Sequence, residues 1–335
     1  MRVGFFSLTV LVVAAVTLII VVRPASPFLP EATGTGSNTF VADAWPSSAQ
    51  PIHWVINPTR SAKIVGATSV TQVMQDSFAS WTSAPNTLLS VITTPGTSSI
   101  TNANQVPSGT NLICFICTGV NFSSADGTLA LTSTFSQGSV ITQADIYFNP
   151  NPSGVCFVTD AQTAKCPTLT DSPQDLQTVA THEMGHFFGL DHSGIVRAIM
   201  FPFAPNVLTT LSYDDVAGIS SSYPNSIQVV PVGNISGTVS MANTGSPVFG
   251  AHVFANSTTS NNPFSAFPSI RKTPIGTLTV PNGSYTIKGV PPDSYVVIAE
   301  PLDQPVTSSS VDWGQPANPP TFNQPIQTNF TTRWH

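Results

Sequence analysis

The chain has 335 residues and a formal net charge of −6, and only 8% of its residues are charged. Its Lys and Arg residues form no cluster, so the sequence lacks the basic footprint of a nucleic-acid-binding protein and we expect no nucleic-acid partner. The length allows two domains with sizeable cores. Ser, Thr, Asn and Pro take the place of charge at the surface, which favours a secreted, β-rich protein.

The N-terminus carries a predominantly apolar run, residues 3–22, directly after Arg2. Residues 1–26 are therefore predicted as a cleaved signal peptide, with cleavage near Ala25, or as an uncleaved membrane anchor, because the run is nearly long enough to span a bilayer. Both alternatives predict a secreted, extracellular protein or one anchored to the outer side of a membrane. Residues 27–40 are rich in Gly, Ser, Thr and Pro, which predicts a linker.

Alternation over Pro51–Asn57 predicts a first strand, and apolar residues at helical spacing predict an amphipathic helix over Ser69–Ser83. An edge strand is predicted over Thr128–Phe135. Further strands are predicted at Leu88–Ile92, Asn111–Ile116 and Ala144–Phe148.

Four cysteines fit an exported protein with two disulfides. Cys156 and Cys166 would close a short loop and leave Cys114 and Cys117 as a second, tighter pair. Four cysteines allow three pairings, and the sequence alone leaves them open. A zinc site at Cys114 and Cys117 is disfavoured, because no second cysteine pair follows at a suitable spacing.

A second helix is predicted to start at Ser172, with Ser172 as the N-cap and Pro173 at the first helical position. The residues that follow form one apolar stripe, which we expect to pack on the sheet: Leu176, Ala180, Met184 and Phe187. The opposite face of this helix would then look into a cleft.

That opposite face carries His182, Glu183 and His186, which belong to the string HEMGHFFGLDHS that begins at His182. His182 and His186 are four residues apart, so both imidazoles leave one face of a helix, a pitch that suits two ligands of one Zn²⁺. Gly189 can end the helix in a left-handed conformation, which lets the chain bring His192 back as a third ligand. Three protein ligands leave a fourth position to water, as in catalytic zinc sites. Glu183 stands close enough to hold that water.

Two other interpretations are a solvated helix with scattered histidines and a metal site without catalysis. The chain has only six His and three Glu. Three His, one Glu and one Gly would therefore occupy the five motif positions (182, 183, 186, 189 and 192) by chance with a probability of about 10⁻⁶. The presence of Glu183 argues against the non-catalytic interpretation.

The string resembles HExxHxxGxxH, the signature of the metzincin zinc proteases, which is followed by a turn that carries a methionine beneath the metal. Met200, eight residues past His192, matches that turn, and this spacing and Ser193 are similar to the matrixin (matrix-metalloprotease-like) branch. The stretch that contains Asp214 and Asp215 resembles the C-terminal helix of matrixins, whose paired acids tie it beneath the active site.

The resemblance implies an α+β fold, with a metzincin-like domain of a twisted mixed sheet plus helices over residues 41–226. It implies a zinc-dependent endopeptidase in which His182, His186 and His192 hold zinc and Glu183 is the general base for a zinc-bound water. Gly189, Asp214 and Asp215 would be structural supports, and Met200 a hydrophobic floor. The substrate, a protein or peptide, would pair with the edge strand at 128–135.

Other expectations concern the pocket and the metals. Pro202, Phe203 and Ala204 resemble the wall of the specificity pocket, although many matrixins have Tyr where Ala204 stands. One zinc is expected, because no His lies between residues 54 and 181 to hold a second one. Calcium is compatible with the family, but no Asp/Asn-rich calcium loop supports it. No cysteine precedes Cys114, so latency by a cysteine switch is not expected.

The character of the sequence changes after residue 226. Short alternating stretches over 227–302, with a hairpin predicted at Pro281-Asn282-Gly283, resemble a carboxypeptidase-regulatory, transthyretin-like all-β sandwich. Residues 303–335, rich in Pro and Asn, are predicted as a tail or an extension of the sandwich. An alternative function is a cell-surface binding or adhesion protein whose sandwich binds a surface polymer or protein. All motif residues precede Tyr223, so we expect residues 227–335 to be dispensable for cleavage.

Overall fold

The computed structural model describes residues 29–36, 38–122, 127–161, 164–205, 207–303, 305–311, 313, 322 and 324–334. The predicted signal peptide or anchor, 1–26, lies outside these residues. Within the described part of the chain, no helix is both long and apolar enough to cross a membrane.

In the described residues of the first part of the chain, the helices are α1 (Val70–Thr82), α2 (Leu176–Phe187) and α3 (Tyr213–Ser222). The strands there are β1 (Ala32–Gly36), β2 (Thr39–Ala42), β3 (Val55–Asn57), β4 (Ile64–Val65), β5 (Gly96–Thr97), β6 (Leu112–Cys114), β7 (Ala130–Gln137), β8 (Val140–Phe148), β9 (Val155–Val158) and β10 (Ser172–Asp175). The later strands are β11 (Gly233–Thr238), β12 (His252–Ser257), β13 (Ile275–Leu278), β14 (Ser284–Val290), β15 (Tyr295–Glu300) and β16 (Arg333–Trp334). Short 3₁₀ helices occur at Ser47–Ala49, Ala103–Gln105 and Ser308–Ser310.

A five-stranded mixed sheet with the order β5-β3-β6-β8-β7 forms the centre of the first part. Strands β3, β5, β6 and β8 pair in parallel, and β7 runs antiparallel to β8 at the edge. The prediction of a mixed sheet with helices is confirmed, and so is the edge strand, which spans Ala130–Gln137. Among the described residues no strand pairs with the outer edge of β7, which leaves backbone groups there for pairing with another chain.

Helices α1 and α2 form where the sequence predicts an apolar stripe. The Ser69 hydroxyl caps α1 by accepting a hydrogen bond from the Gln72 amide at 3.1 Å. Trp81 is fully buried, and its Nε1 donates to the Thr181 carbonyl of α2 at 2.7 Å. The predicted stripe of α2 is buried along its whole length, at Leu176, Ala180, Met184 and Phe187. This packing fixes α2 against the core, while His182 and His186 on its other face stay only partly buried.

The predicted start of α2 at Ser172 is wrong. Residues Ser172–Asp175 form strand β10, which pairs in parallel with β9, and the Ser172 amide donates to the Gly154 carbonyl at 2.8 Å. The cap is Asp175 instead, whose carboxylate accepts from the Thr178 amide at 2.8 Å. The local cap pattern is overridden because strand pairing extends the backbone through Ser172.

The predicted strand at Leu88–Ile92 is also absent from the described structure. Only Val91 forms a bridge there, with Ile52, and the side chain of Leu88 is exposed. The Ser90 amide donates to the side-chain oxygen of Gln50 at 2.8 Å. This amide is therefore bound by a side chain and not by the backbone of a neighbouring strand.

The later strands form two sheets, β11-β14 and β13-β12-β15-β16. The predicted hairpin between β13 and β14 is wrong, because β13 pairs with β12 and β14 pairs with β11. The turn at residues 281–283 therefore carries the chain from one sheet to the other.

Both parts of the chain share one hydrophobic core. Buried Ala217 of α3 belongs to the same cluster as Val253 and Ile287 of the later sheets. Gly289 lies so close to α3 that a Cβ at this position would be 2.9 Å from the Ala217 Cβ. The predicted domain boundary at 226/227 thus falls inside a continuous packed interior.

The ends of the described chain pack on each other as well. Strands β1 and β2 form an antiparallel hairpin. Leu29 and Phe40 join a second cluster with Val306, Val311 and Trp313. Residues from the predicted linker and from the predicted tail are thus parts of one core.

Two disulfides, Cys114–Cys117 and Cys156–Cys166, join the four cysteines in the arrangement suggested by their spacing. Cys114 ends strand β6 and Cys156 lies in β9, so both bridges tie loops to sheet strands. These strands precede α2, the helix that carries the histidine motif.

Candidate metal centre

The structure brings together the three histidines of the motif. His182 and His186 project from α2, and His192 returns after a turn, with ring-centroid distances of 4.8–5.2 Å among the three. One ligand atom of each lies within 4.8 Å of the others, and in the described part of the chain no second such group of His, Cys, Asp or Glu is found.

The turn after α2 explains how His192 comes back. Gly189 has a φ of +82°, a left-handed conformation that favours glycine. The Gly189 amide donates to the His186 carbonyl at 2.8 Å and the Leu190 amide to the Gly185 carbonyl at 3.0 Å, which is the Schellman pattern of a helix end. The same turn aims the Leu190 carbonyl at His186 Nδ1, 2.7 Å away.

A second turn orients His182. Its Nδ1 lies 2.7 Å from the carbonyl oxygen of Ile199, the residue before Met200. The amides of Ile199 and Met200 both donate to the carboxylate of Asp215, at 2.8 and 3.2 Å. Asp215 also forms a capping box with Ser212 at the start of α3. One carboxylate therefore joins the methionine turn to α3.

The third histidine is held from a distant part of the chain. His192 Nδ1 lies 2.7 Å from the carbonyl oxygen of Ser310, in the 3₁₀ helix Ser308–Ser310. Each imidazole thus has a backbone carbonyl at Nδ1, and the three carbonyls come from three separate segments.

These contacts determine the ring tautomers. A carbonyl can only accept, so each Nδ1 carries a proton, and a neutral ring then presents its lone pair at Nε2. The Nε2 atoms of His182 and His186 are 3.2 Å apart with no proton to share. Zinc with Zn–N bonds of about 2.0–2.1 Å in tetrahedral geometry places its nitrogens about 3.3 Å apart.

Burial and neighbouring histidines lower the pKa of His182 to about 3 and that of His186 well below its usual value, so both rings stay neutral. The residues fit a zinc ion.

Glu183 directly follows His182 in the sequence, and its side chain is buried. Burial raises the pKa of its carboxyl to about 7, and a hydrogen bond from Thr132 acts in the opposite direction. The Thr132 hydroxyl, on edge strand β7, donates to Glu183 Oε2 at 2.6 Å. The edge strand and the helix are thus connected at the carboxylate.

Asp214 supports the segment after His192. The Ser193 hydroxyl donates to Asp214 Oδ2 at 2.6 Å, and the Gly276 amide donates to Oδ1 at 2.8 Å. Burial, and then the neighbouring Asp215, raise the pKa of Asp214 to about 8. The two adjacent acids therefore have different partners: Asp215 binds the methionine turn, and Asp214 connects the histidine loop to strand β13.

Met200 is buried beneath α2 at Gly185, where a Cβ would overlap its sulfur atom. Glycine at position 185 therefore makes room for the methionine turn between the two helical histidines. Pro202, Phe203 and Ala204 follow on the surface, with Phe203 and Ala204 exposed. Their role as a pocket wall stays a prediction.

An alanine in the left-handed conformation costs about 1–2 kcal/mol. We predict that Gly189→Ala lowers the free energy of unfolding by more than this, because the new Cβ would also overlap the Asp43 carbonyl oxygen. Gly138→Ala is the matched control, since Gly138 has a φ of +62° and open space around its missing Cβ. Urea unfolding of both variants measures the difference. Equal losses would show that the close approach to Asp43 is unimportant.

Comparison with known proteins agrees with this geometry. Residues 117–224 match the family model Peptidase_M10, described as Matrixin. This matrixin segment contains the three histidines, Glu183 and Met200. Matrixins bind zinc, and the three-histidine group gives the segment a site of the corresponding kind.

Proteins similar to this chain come from plants, a bacterium and a mammal. The chain is 38% identical over 82 residues to Metalloendoproteinase 1 of Glycine max, covering 23% of this chain and 27% of the relative. It is 37% identical over 56 residues to Karilysin of Tannerella forsythia (17% and 12%) and 38% identical over 99 residues to Macrophage metalloelastase of Oryctolagus cuniculus (29% and 20%). The chain spans less than a third of the length of each of these relatives.

Three contacts at the matrixin segment were missed by sequence reasoning. Thr132 lies in the predicted edge strand, but its contact with Glu183 depends on how the sheet meets α2. Thr134 of the same strand donates to Glu31 Oε2 at 2.7 Å, and Glu31 Oε1 is 4.0 Å from His186 Nδ1. The Ser310 carbonyl carries no sequence signal at all, because every residue has a carbonyl.

Proposed function

We propose that this protein is a zinc-dependent endopeptidase that hydrolyses peptide bonds of proteins. The observation that carries the proposal is the convergence of three imidazoles on one point, beside a buried carboxyl group, with two of the rings kept neutral by their lowered pKa values. The similarity to the matrixin family supports it.

The chain would hold one zinc ion through the Nε2 atoms of His182, His186 and His192. When bound, zinc supplies Lewis acidity, which lowers the pKa of water towards neutrality and polarises a carbonyl group. The carbonyls of Ile199 and Leu190 keep two of the rings oriented by accepting from their Nδ1 atoms.

Glu183 would accept a proton from the attacking water and return it to the leaving nitrogen. The Thr132 hydroxyl occupies Oε2 of this carboxylate and so leaves Oε1 for the proton. Because Thr132 and Glu183 are linked, the edge strand fixes the carboxylate relative to a substrate lying along that strand.

An extended substrate would pair with the free edge of β7. Pro202, Phe203 and Ala204 would wall the pocket for one substrate side chain, with Met200 as the floor beneath the ligands. Protein or peptide substrates follow from this arrangement.

The two disulfides and the apolar run at residues 3–22 support a location outside the cell or on the outer side of a membrane. The protease unit would span 41–226 and a β-sandwich unit 227–302, with the two units packed on each other through the shared core.

A protease assay combined with metal analysis tests the proposal. Purified full-length chain should contain one zinc per molecule and cleave casein or gelatin, and a chelator should abolish cleavage until zinc is restored. Zinc-loaded protein that leaves both substrates intact would contradict the proposal and favour the alternative, a surface binding protein with a non-catalytic zinc domain.

A further inference from the structure

We infer that the C-terminal part of the chain completes the metal centre, with the backbone carbonyl of Ser310 as the positioning group for His192. The inference rests on the proposed zinc site. It assigns an active-site role to a segment that the sequence predicts to be a tail.

The geometry at His192 carries the first step. The Ser310 carbonyl oxygen lies 2.7 Å from His192 Nδ1, the distance of a strong hydrogen bond. Asp191 Oδ1 is 4.0 Å from the same nitrogen, and it accepts instead from the His192 amide at 2.6 Å. The Ser310 carbonyl therefore sets the ring orientation and keeps the proton on Nδ1, away from the metal side.

The second step is that this carbonyl is firmly held. The Ser310 amide donates to the Thr307 carbonyl at 2.9 Å, and the Thr307 amide lies 3.2 Å from the Ser310 hydroxyl oxygen. Val311 and Trp313, just beyond, are buried in the second cluster, and Trp313 Nε1 donates to the Thr279 carbonyl at 3.1 Å. Trp313 thus anchors the 3₁₀ helix to the residue that directly follows β13.

The third step is a clamp on the segment that follows His192. The His252 ring of β12 packs against Gly194 so closely that a Cβ there would be 2.8 Å from its Nε2. The Gly276 amide of β13 reaches Asp214, which accepts in turn from Ser193. The later sheets therefore fix residues 193–194 while Ser310 fixes the ring.

Hydrogen-bond partners of metal-bound histidines affect metal affinity by about 10–100-fold when they are changed. Loss of the Ser310 acceptor should therefore weaken zinc binding by that factor. The same contacts oppose the expectation that residues 227–335 are dispensable for cleavage.

The test weakens one carbonyl and leaves every side chain in place. In the full-length chain, Val311 is replaced by its α-hydroxy analogue, which turns the Ser310–Val311 amide into an ester with a poorer acceptor carbonyl. The matched control places the same ester at Val229, an exposed residue, which weakens the Gln228 carbonyl and leaves the 3₁₀ helix and its anchor at Trp313 unchanged.

Zinc affinity, measured by competition with a chelator, should fall about 10–100-fold for the ester at 311 and stay within about twofold of wild type for the ester at 229. The absorption spectrum of the cobalt-substituted protein should change only for the ester at 311. Unaltered zinc affinity at 311, or an equal loss for both esters, would overturn the inference.

A measurement on the unmodified chain covers the case in which an ester variant does not fold. Nitrogen-15 spectra of histidine-labelled, zinc-loaded protein should show His192 bound through Nε2 with an exchange-protected proton on Nδ1. Coordination through Nδ1, or an unprotected proton there, would refute the role of Ser310. Protein that passes this test but cleaves nothing would refute only the proposed protease function.

Discussion

Replacement of Glu183 by glutamine should reduce turnover of a peptide substrate by at least about 10²–10⁴-fold, the usual contribution of a general acid–base group. Glutamine has nearly the same volume and leaves the three imidazoles untouched, so zinc content should stay at the wild-type level. The Thr132 hydroxyl can still donate to the amide oxygen, which preserves the contact between β7 and α2. Turnover and zinc content measured on the same preparation decide the outcome.

Glu31→Gln is the matched control for this experiment. Glu31 also accepts from a threonine of β7, at 2.7 Å, and its Oε1 is 4.0 Å from His186 Nδ1. Loss of the Glu31 charge in Glu31→Gln should leave most of the turnover in place. His192→Ala should instead lower zinc affinity, with partial recovery of activity at high zinc. Near wild-type turnover in zinc-loaded Glu183→Gln protein would exclude Glu183 as the base.

Asp215→Asn should lower the free energy of unfolding by about 2–4 kcal/mol, because hydrogen bonds to a buried charge contribute about 1.5–3 kcal/mol each. Asp215 accepts from the amides of Ile199, Met200 and Ser212 and from the Ser212 hydroxyl. An asparagine has only one acceptor oxygen, so its NH₂ group would face a backbone N–H. Zinc affinity should fall too, since Ile199 holds His182. Urea unfolding and chelator competition measure the two effects.

Asp214→Asn is the neighbouring control and should have a much smaller effect. The pKa of Asp214 is raised from 3.8 to about 8, so the folded state holds a proton that the unfolded state releases. The free energy of unfolding therefore falls as pH rises between these values and levels off above about 8. Asparagine mimics the neutral acid, so Asp214→Asn should remove this part of the pH dependence. Equal destabilisation by both asparagine variants would contradict the different roles of the two acids.

Local spacing was sufficient to predict that the three histidines come together. His182 and His186 share a face because of helical geometry, and Gly189 is required by the turn that returns His192. The buried stripes of α1 and α2 followed from the same periodicity. These features depend on residues within one or two helical turns, which a sequence pattern reports directly.

Prediction failed where a partner from elsewhere in the chain decides the outcome. The pattern at Ser172 fits a helix cap, but pairing with β9 extends it into a strand. The hairpin expected between β13 and β14 depends on which strands lie beside each one, and the turn residues do not encode that. Ser310 acts through its backbone, so its residue type could not have revealed its contact with His192.

The separation of His192 and Ser310 along the chain has a consequence for the order of synthesis. The two residues are 118 positions apart, and the chain grows from its N-terminus. All three histidines are therefore made well before the carbonyl that orients the third one. If the Ser310 contact is needed for tight zinc binding, an unfinished chain cannot have a complete metal centre, and the proposed protease would stay inactive until elongation has passed Ser310.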